Sequence, residues 1–287
     1  MSAVVCGLAF TPVKAMRLLA VDRIRLEREG LRENRRFFLI DGRGRMVNSK
    51  RVGALQTIVA DYSDAARTLS LMFPDGRVIR GPVRCGETVD ARFSARPVRV
   101  PLVSGPWSEA ISELAGQPLR LVEADIDGGG VDRGKDGTIS LISRASLGRL
   151  AKQAGEPQVD SRRFRMLIEI DGVPAHAEDE WVGSSARIGS VVVAFKGHVG
   201  RCLITSRDPD TGEVDLPTLD LLGAYRSRLP TTEPLPFGVY GDVLEAGAIS
   251  VGDEVVLEAG SFSAGDEVAL ETGSIGIGDE VALDGGR

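Results

Sequence analysis

Short runs of apolar and β-branched residues, separated by turn signals, dominate the first hundred residues. They predict strands over Ala3–Phe10, Phe37–Asp41 and residues 57–60, 68–73 and 77–80. Asp-Gly sequences between several of these runs are typical of hairpin turns. The pattern indicates that this part of the chain is β structure.

Apolar residues at helical spacing predict helices over residues 105–115, 143–153 and 216–226. Ser108 and Ser143 are the candidate N-caps of the first two. Further strands are predicted over Leu119–Glu123 and residues 138–142, 166–170, 190–195, 202–205 and 238–244. Many short strands with few helices favour a mainly β (α+β) fold, centred on a β-barrel with peripheral helices.

Two segments break this pattern. Residues 124–137 are dense in Gly and Asp, and we expect a domain boundary or an active-site loop there. Near the C-terminus, three 13-residue copies begin at Gly247, Gly260 and Gly273, each with a Gly-Asp turn between strand-like halves. We expect a duplicated terminal hairpin, and the alternative is an assembly or binding appendage.

Length and charge limit the classes of protein that fit. The 287 residues suffice for one large domain or two ordinary ones. A formal charge of −6 without basic tracts argues against nucleic-acid binding. Residues 260–287 hold six acidic residues against Arg287, so they account for −5 of that charge. The rest of the chain is nearly neutral and can contain a local cationic pocket.

Cysteine and histidine are scarce. Three Cys without CxxC spacing and two His without a zinc signature exclude a disulfide framework and the usual zinc sites. A metal would therefore have to arrive inside a cofactor. No apolar run reaches 18 residues, and the first residues do not resemble a signal peptide. We expect a soluble, cytoplasmic protein that does not bind membranes.

One cysteine lies in a stretch rich in Arg and Asp, residues 200–213, with the sequence GRCLITSRDPDTGE. The adjacent Arg201 favours the thiolate of Cys202, which is the nucleophilic and metal-binding form of a thiol. The alternative is a small residue buried in a strand. Asp208 and Asp210 could deliver protons, although Asp-Pro-Asp-Thr-Gly is also a typical turn sequence.

This stretch resembles the signature of the MOSC family, named for the C-terminal domain of molybdenum-cofactor sulfurases. The resemblance includes the amidoxime-reducing members and bacterial reductases of N-hydroxylated compounds, and it covers residues 1–258. The other supporting motifs stand in family order: Pro12-Val13-Lys14, Gly30-Leu31, Arg35-Arg36-Phe37, Ser143-x-Ala145-Ser146-Leu147, Phe164-Arg165, Ala177-Glu178-Asp179-x-Trp181, Phe237-Gly238-x-Tyr240 and Val251-Gly252-Asp253.

The resemblance implies a domain organisation and a site. It implies a MOSC N-terminal β-barrel-like domain over 1–123, a loop over 124–137, a MOSC β-barrel domain over 138–258 and an appendage over 259–287. Cys202 would be the catalytic residue and the molybdenum ligand. Lys14, Arg36 and Arg165 would hold the phosphate and pterin of the molybdenum cofactor (Mo-molybdopterin). Further positions would line the pterin: Gly137, Thr138, Gly200, Arg201 and Tyr240.

The implied activity is reduction of an N-oxygenated small molecule, with electrons from a separate flavin or iron–sulfur reductase. Several positions depart from the family pattern: Ala15, Lys50, Met166-Leu167 and Val199. Two alternatives stay open, and the departures at Ala15 and Met166-Leu167 motivate the first of them. One is a molybdenum-free enzyme that uses Cys202 in sulfur transfer or C–S bond chemistry. The other is a non-catalytic cofactor carrier.

Overall fold

A computed structural model describes residues 2–93, 96–124, 137–229, 231 and 233–258. Most of the predicted loop 124–137 and the predicted appendage 259–287 lie outside the described residues.

The described chain is built mainly from strands. In chain order they are β1 (Ala3–Phe10), β2 (Leu19–Val21), β3 (Arg23–Leu26), β4 (Phe37–Asp41), β5 (Met46–Val47), β6 (Val59–Ser63), β7 (Thr68–Met72), β8 (Val78–Pro82), β9 (Arg84–Phe93), β10 (Arg96–Ser104), β11 (Leu119–Glu123), β12 (Ile139–Ser143), β13 (Ile168–Asp171), β14 (Ser185–Ile188), β15 (Val191–Gly200), β16 (Pro236–Glu245), β17 (Gly247–Ser250) and β18 (Glu254–Glu258).

Helices are few and lie around the strands. The α-helices in the described residues are α1 (Trp107–Ala115), α2 (Arg144–Ala154) and α3 (Thr218–Arg226). Short 3-10 helices span Gly53–Thr57, Ser161–Phe164, Ala177–Trp181 and Leu203–Ser206. Ser143 caps α2 as predicted, because its side chain accepts a hydrogen bond from the Ser146 amide.

Seven of the described strands close into a barrel in the order β1, β13, β12, β16, β15, β14 and β18, and β18 pairs again with β1. Neighbours are antiparallel except β12 and β13. Apolar side chains fill the interior, among them Val5, Ile168, Val193 and Phe195. The predicted mainly β fold with a barrel core is confirmed.

The first half of the chain forms two further sheets, in the orders β5-β4-β11-β10-β9 and β6-β7-β8. They enclose a second core with α1, in which Phe37, Leu55 and Trp107 are buried. The long hairpin of β9 and β10 was not predicted. Charged and polar residues interrupt β9, RCGETVDARF, and two arginines and two prolines interrupt β10, RPVRVPLVS.

Two local predictions are wrong. Residues 202–205 do not form a strand, because the Thr205 amide and hydroxyl both donate to the Cys202 carbonyl at 3.0 Å and curl the chain into a 3-10 helix. Ser108 does not cap α1, whose N-cap is Pro106. The Ser108 hydroxyl instead accepts a hydrogen bond from the Leu121 amide at 3.0 Å and ties α1 to β11.

Strand pairing also crosses the predicted division between 1–123 and 138–258. β1, from the very start of the chain, belongs to the barrel of the second segment, and β3 pairs with β17. The two halves are therefore interleaved, and the domain boundaries stay a prediction.

Candidate functional site

Cys202 lies just beyond the end of β15, at the N-cap of the 3-10 helix Leu203–Ser206. The residue is exposed and its backbone is extended. Cys202 is neither buried nor in a strand, so it is not the small buried strand residue that the sequence also allowed. The fold presents Cys202 at the surface, where a ligand can reach it.

The turn that follows Cys202 is fixed by its own aspartates. The Asp208 carboxylate accepts hydrogen bonds from the amides of Asp210 and Thr211, at 2.9 and 2.7 Å. Burial opposes ionisation of Asp208, but these backbone hydrogen bonds outweigh it and lower its pKa. Hydrogen bonds from Arg162 lower the pKa of Asp210. Both carboxylates are therefore ionised at neutral pH and are poor proton donors.

Three basic side chains, Lys14, Arg35 and Arg165, lie close together, and the Cys202 side chain is close to Lys14. The Arg35 guanidinium donates to the Arg165 carbonyl at 3.0 Å, and the Arg165 guanidinium donates to the Met16 carbonyl at 2.7 Å. The Lys14 amide donates to the Phe37 carbonyl at 2.8 Å. These bonds join the loop before β4, the segment after β1 and the 3-10 helix Ser161–Phe164 in one place.

The backbone around this cluster is unusual. Ala15, Arg35 and Arg165 have φ values of 80°, 52° and 56°, in the left-handed region that residues with a side chain rarely adopt. Such conformations persist only where the surrounding structure enforces them, and they are common at functional sites. The hydrogen bonds of Arg35 and Arg165 supply that enforcement.

The electrostatics of the cluster are dominated by positive charge. Burial lowers the pKa of Lys14 well below its usual value, Arg35 and Arg165 lower it further, and the Cys202 sulfur acts in the opposite direction. Burial lowers the pKa of Arg165 to about 10. An anion placed among these groups would stabilise their charged forms. Cys202 is thus close enough to Lys14 for its sulfur to affect the pKa of that side chain.

Two predicted arginines have other partners. The Arg36 guanidinium donates to Glu123 at 2.8 Å, in a cluster that includes Arg67 and Cys85. Arg201 donates to the carbonyls of Phe164 and Phe237, so it fastens β16 to the segment before Arg165. Arg35 was not among the predicted site residues, although it stands next to Arg36 in the same motif and lies beside Lys14.

The glycine and tyrosine positions are spread along the barrel. Gly200 pairs with Pro236, whereas the Gly137 amide donates to Asp242 and the Thr138 hydroxyl accepts from the Val243 amide. Six to seven residues of β16 separate these contacts, about 20 Å of extended chain. Gly137 and Thr138 are thus not brought together with Cys202.

Tyr240 and Gly200 each fill close-packed positions. A Cβ on Gly197 would lie 2.9 Å from the Tyr240 ring, so the strand needs glycine there for the ring to pack against it. A Cβ on Gly200 would lie 2.5 Å from the Glu233 carboxylate. Tyr240 lies in the middle of β16, between the Gly200 end and the Thr138 end.

Most of the residues that depart from the family pattern pack in the protein interior or take part in backbone contacts. Met166 and Leu167 are buried in the hydrophobic clusters beneath the site, and a Cβ on Gly238 would lie 2.7 Å from the Met166 methyl carbon. Val199 packs partly buried against the Met166 cluster. The Lys50 carbonyl accepts a hydrogen bond from Arg207 at 3.1 Å. Ala15 has a left-handed backbone conformation next to Lys14.

The donor set suits an anionic cofactor better than a bare ion. Across residues 2–93, 96–124, 137–229, 231 and 233–258, no three His, Cys, Asp or Glu side chains converge to hold a metal. A thiol beside three cations instead fits a metal that is carried on a phosphorylated organic group. None of the described helices is long and apolar enough to cross a membrane.

Comparison with known proteins gives two family matches. The model of the MOSC N-terminal beta barrel domain matches residues 2–108, and the MOSC domain model matches residues 128–256.

Several curated proteins are also similar. Mitochondrial amidoxime reducing component 2 of Bos taurus is 35% identical over 124 residues, covering 41% of this chain and 36% of that protein. The chain thus spans about a third of the length of this relative. Mitochondrial amidoxime-reducing component 1 of Homo sapiens is 28% identical over 279 residues, covering 85% and 80%. The YuaD protein from Bacillus subtilis superposes with a TM-score of 0.42 at 12% identity, covering 90% and 96%.

Proposed function

Because the chain belongs to the MOSC family, with a MOSC N-terminal beta barrel domain ahead of the MOSC domain, we propose that it is a molybdenum-cofactor oxidoreductase. Its proposed reaction is the reduction of N-hydroxylated small molecules. The observation that carries this proposal is the exposed Cys202 beside Lys14, Arg35 and Arg165. The names of the curated relatives support the same reaction class.

Four residues would hold the cofactor. The Cys202 thiolate is the protein ligand for molybdenum. Lys14, Arg35 and Arg165 bind the phosphate and the polar edge of the pterin, because a phosphate needs fixed cationic donors and arginine offers a planar fork. Lys14 and Arg165 are half-buried, so water screens these interactions less than at an exposed site.

Of the remaining predicted positions, Arg201 supports the site through the carbonyl of Phe164 next to Arg165, whereas Arg36 binds Glu123 in a separate cluster. Gly200 and Tyr240 shape the strands beside it. Roles for Gly137 and Thr138 at the pterin stay predictions.

The cofactor, when bound, supplies the two-electron chemistry. The overall reaction converts R–NHOH, two electrons and two protons into R–NH₂ and water. A separate flavin or iron–sulfur reductase provides the electrons. Protons come from solvent at the exposed Cys202 face, because Asp208 and Asp210 are held in their ionised forms. The chain itself positions the cofactor and fixes the charge around it.

No observation favours the two alternatives over this proposal. The molybdenum-free sulfur-transfer alternative was motivated in part by Met166-Leu167, and both residues are buried in hydrophobic clusters. The cofactor-carrier alternative requires a site that binds the cofactor and does not turn over substrate. Cytoplasmic localisation stays a prediction.

The test is substitution of the metal ligand. Cys202→Ser should lower the reduction of an amidoxime by a chemically reduced mediator to less than about 1% of the unmodified rate, because the thiolate ligand is lost. Cys85→Ser is the matched control. Cys85 is also exposed, and it hydrogen-bonds to Glu123, which is not part of the Lys14, Arg35 and Arg165 cluster. Full activity in Cys202→Ser would contradict the assignment.

A further inference from the structure

The hairpin of β17 and β18 occupies a defined slot in the barrel. β18 lies between β14 and β1, where it pairs with both and completes the barrel. The turn between the strands is fastened to β1, because the Val5 amide donates to the Asp253 carbonyl at 2.9 Å and the Gly252 amide donates to the Val5 carbonyl at 2.8 Å. These backbone bonds do not depend on which side chains the hairpin carries.

Five hairpin positions do depend on their residue type. A Cβ on Gly247 would lie 2.6 Å from the Ser190 carbonyl oxygen, and Gly252 has a φ of 98°. Ile249 is fully buried and Val255 is 6% exposed. The Asp253 carboxylate accepts a hydrogen bond from the Ser250 amide at 2.8 Å and closes the turn. A segment that fills this slot therefore needs Gly, a large apolar residue, Gly, Asp and Val at these five positions.

The two later copies, residues 260–272 and 273–285, meet these requirements in sequence. The matching residues are Gly260, Phe262, Gly265, Asp266 and Val268 in the second copy, and Gly273, Ile275, Gly278, Asp279 and Val281 in the third. At the exposed positions of Val251 and Val256, which the slot does not constrain, both copies carry other residues.

We propose that the third copy, residues 273–285, can take the place of residues 247–259 in this slot of its own chain. The third copy is the better substitute because it repeats isoleucine at the buried Ile249 position. The second copy has Phe262 there, and an enlarged side chain in a filled core is unfavourable. Skipping 26 residues rather than 13 adds little, since loop entropy grows only with the logarithm of length.

Full-length variants test the proposal through stability. Val255→Asp places a charge in the barrel core and disables the first copy. The triple variant Val255→Asp, Val268→Asp and Val281→Asp disables all three copies, and its Tm should fall by about 10 °C or more. If the third copy replaces the first, Val255→Asp alone should lose less than half as much. The matched controls are Val256→Asp, at a position that is 52% exposed, and Val281→Asp alone, and both should melt like the unmodified protein.

Cysteine pairs identify the occupant. Arg187 on β14 stands directly opposite Val256 on β18, a spacing that permits a disulfide. The residue of the third copy that corresponds to Val256 is Ala282, and in the second copy it is Ala269. The pairs Arg187→Cys with Val256→Cys, Ala269→Cys or Ala282→Cys therefore report the first, second and third copies, and peptide mapping separates these disulfides from those of native cysteines.

In the Val255→Asp background, the proposal predicts an intramolecular disulfide from position 187 to position 282. An equal Tm loss in the single and triple variants, with no disulfide to 282, would overturn it. A disulfide to 269 would overturn the choice of the third copy. A disulfide-linked dimer would show instead that a second chain donates the hairpin.

Discussion

Arg35 and Arg36 are neighbours in the chain but serve different clusters. Arg35 precedes β4 with a left-handed backbone and reaches the Arg165 carbonyl, whereas Arg36 lies beside Glu123. The family motifs predict site roles for Cys202 and Lys14, and the structure places these two side chains close together. The motifs could not choose between adjacent arginines. That choice depends on the backbone turn before β4 and on the register of β4 with β11, neither of which the sequence reveals.

This pair provides a matched test. Arg35→Gln should lower the molybdenum content of the purified protein about tenfold, since a charged hydrogen bond to the cofactor is lost. Arg36→Gln should leave molybdenum content near normal and lower the Tm, because Glu123 loses one of its cationic partners. Elemental analysis and thermal melting of both variants measure the two effects. A normal molybdenum content in Arg35→Gln together with a low content in Arg36→Gln would show that Arg36, not Arg35, binds the cofactor.

At the scale of elements, Glu123 at the end of β11 links the elements of the first half of the chain. Its carboxylate accepts hydrogen bonds from Arg36 before β4, from Arg67 between β6 and β7, and from Cys85 on β9. Strands such as β1, β4 and β11 could be predicted because each is an apolar run. The β9–β10 hairpin and the end of β15 could not, because long-range pairing rather than local pattern determines them.

Glu123 should make stability depend on pH. Burial alone would raise its pKa, but hydrogen bonds from Arg67, Cys85 and Arg36 lower it to about 2. A carboxylate with a lowered pKa stabilises the fold above its unfolded pKa near 4.5, by about 3 kcal/mol, and loses that contribution as the pH falls towards 2. Glu123→Gln should therefore unfold more easily at pH 7, and its difference from the unmodified protein should shrink between pH 4.5 and 2.

Denaturant unfolding at several pH values measures this difference. Glu113→Gln is the control, since Glu113 forms an exposed ion pair with Arg77 and such pairs contribute little. A Glu123→Gln deficit that stays constant down to pH 2 would contradict the lowered pKa.

At the scale of the whole molecule, contacts from the first half of the chain hold the loop that carries Cys202. Arg17 pairs with Asp210 at 3.1 Å, and Arg207 reaches the Lys50 carbonyl. Gly53 and Gly212 approach so closely that neither has space for a Cβ. The sequence predicted a barrel with peripheral helices, and the structure has one. It did not predict that β1 would close the barrel or that Gly53 would meet Gly212, because both join residues far apart in the chain.

Gly212→Ala tests this contact. Its φ of 75° and the Gly53 carbonyl against its backbone leave no room for a methyl group. We expect a loss of stability of about 1–3 kcal/mol and a lower molybdenum content, because the Cys202 loop is displaced from the cations. Gly148→Ala is the control, because nothing lies near that position in α2 and alanine favours helix. Equal behaviour of the two variants in melting and metal content would contradict the contact's role.

The central claim is that Cys202 and the cations beside it hold a molybdenum cofactor. The most direct measurement is the molybdenum and pterin content of the protein purified from cells that make the cofactor, by elemental analysis and pterin fluorescence. We predict about one molybdenum and one pterin per chain, with molybdenum strongly reduced in Cys202→Ser. Protein that contains neither, yet converts its substrate at full rate, would contradict the account.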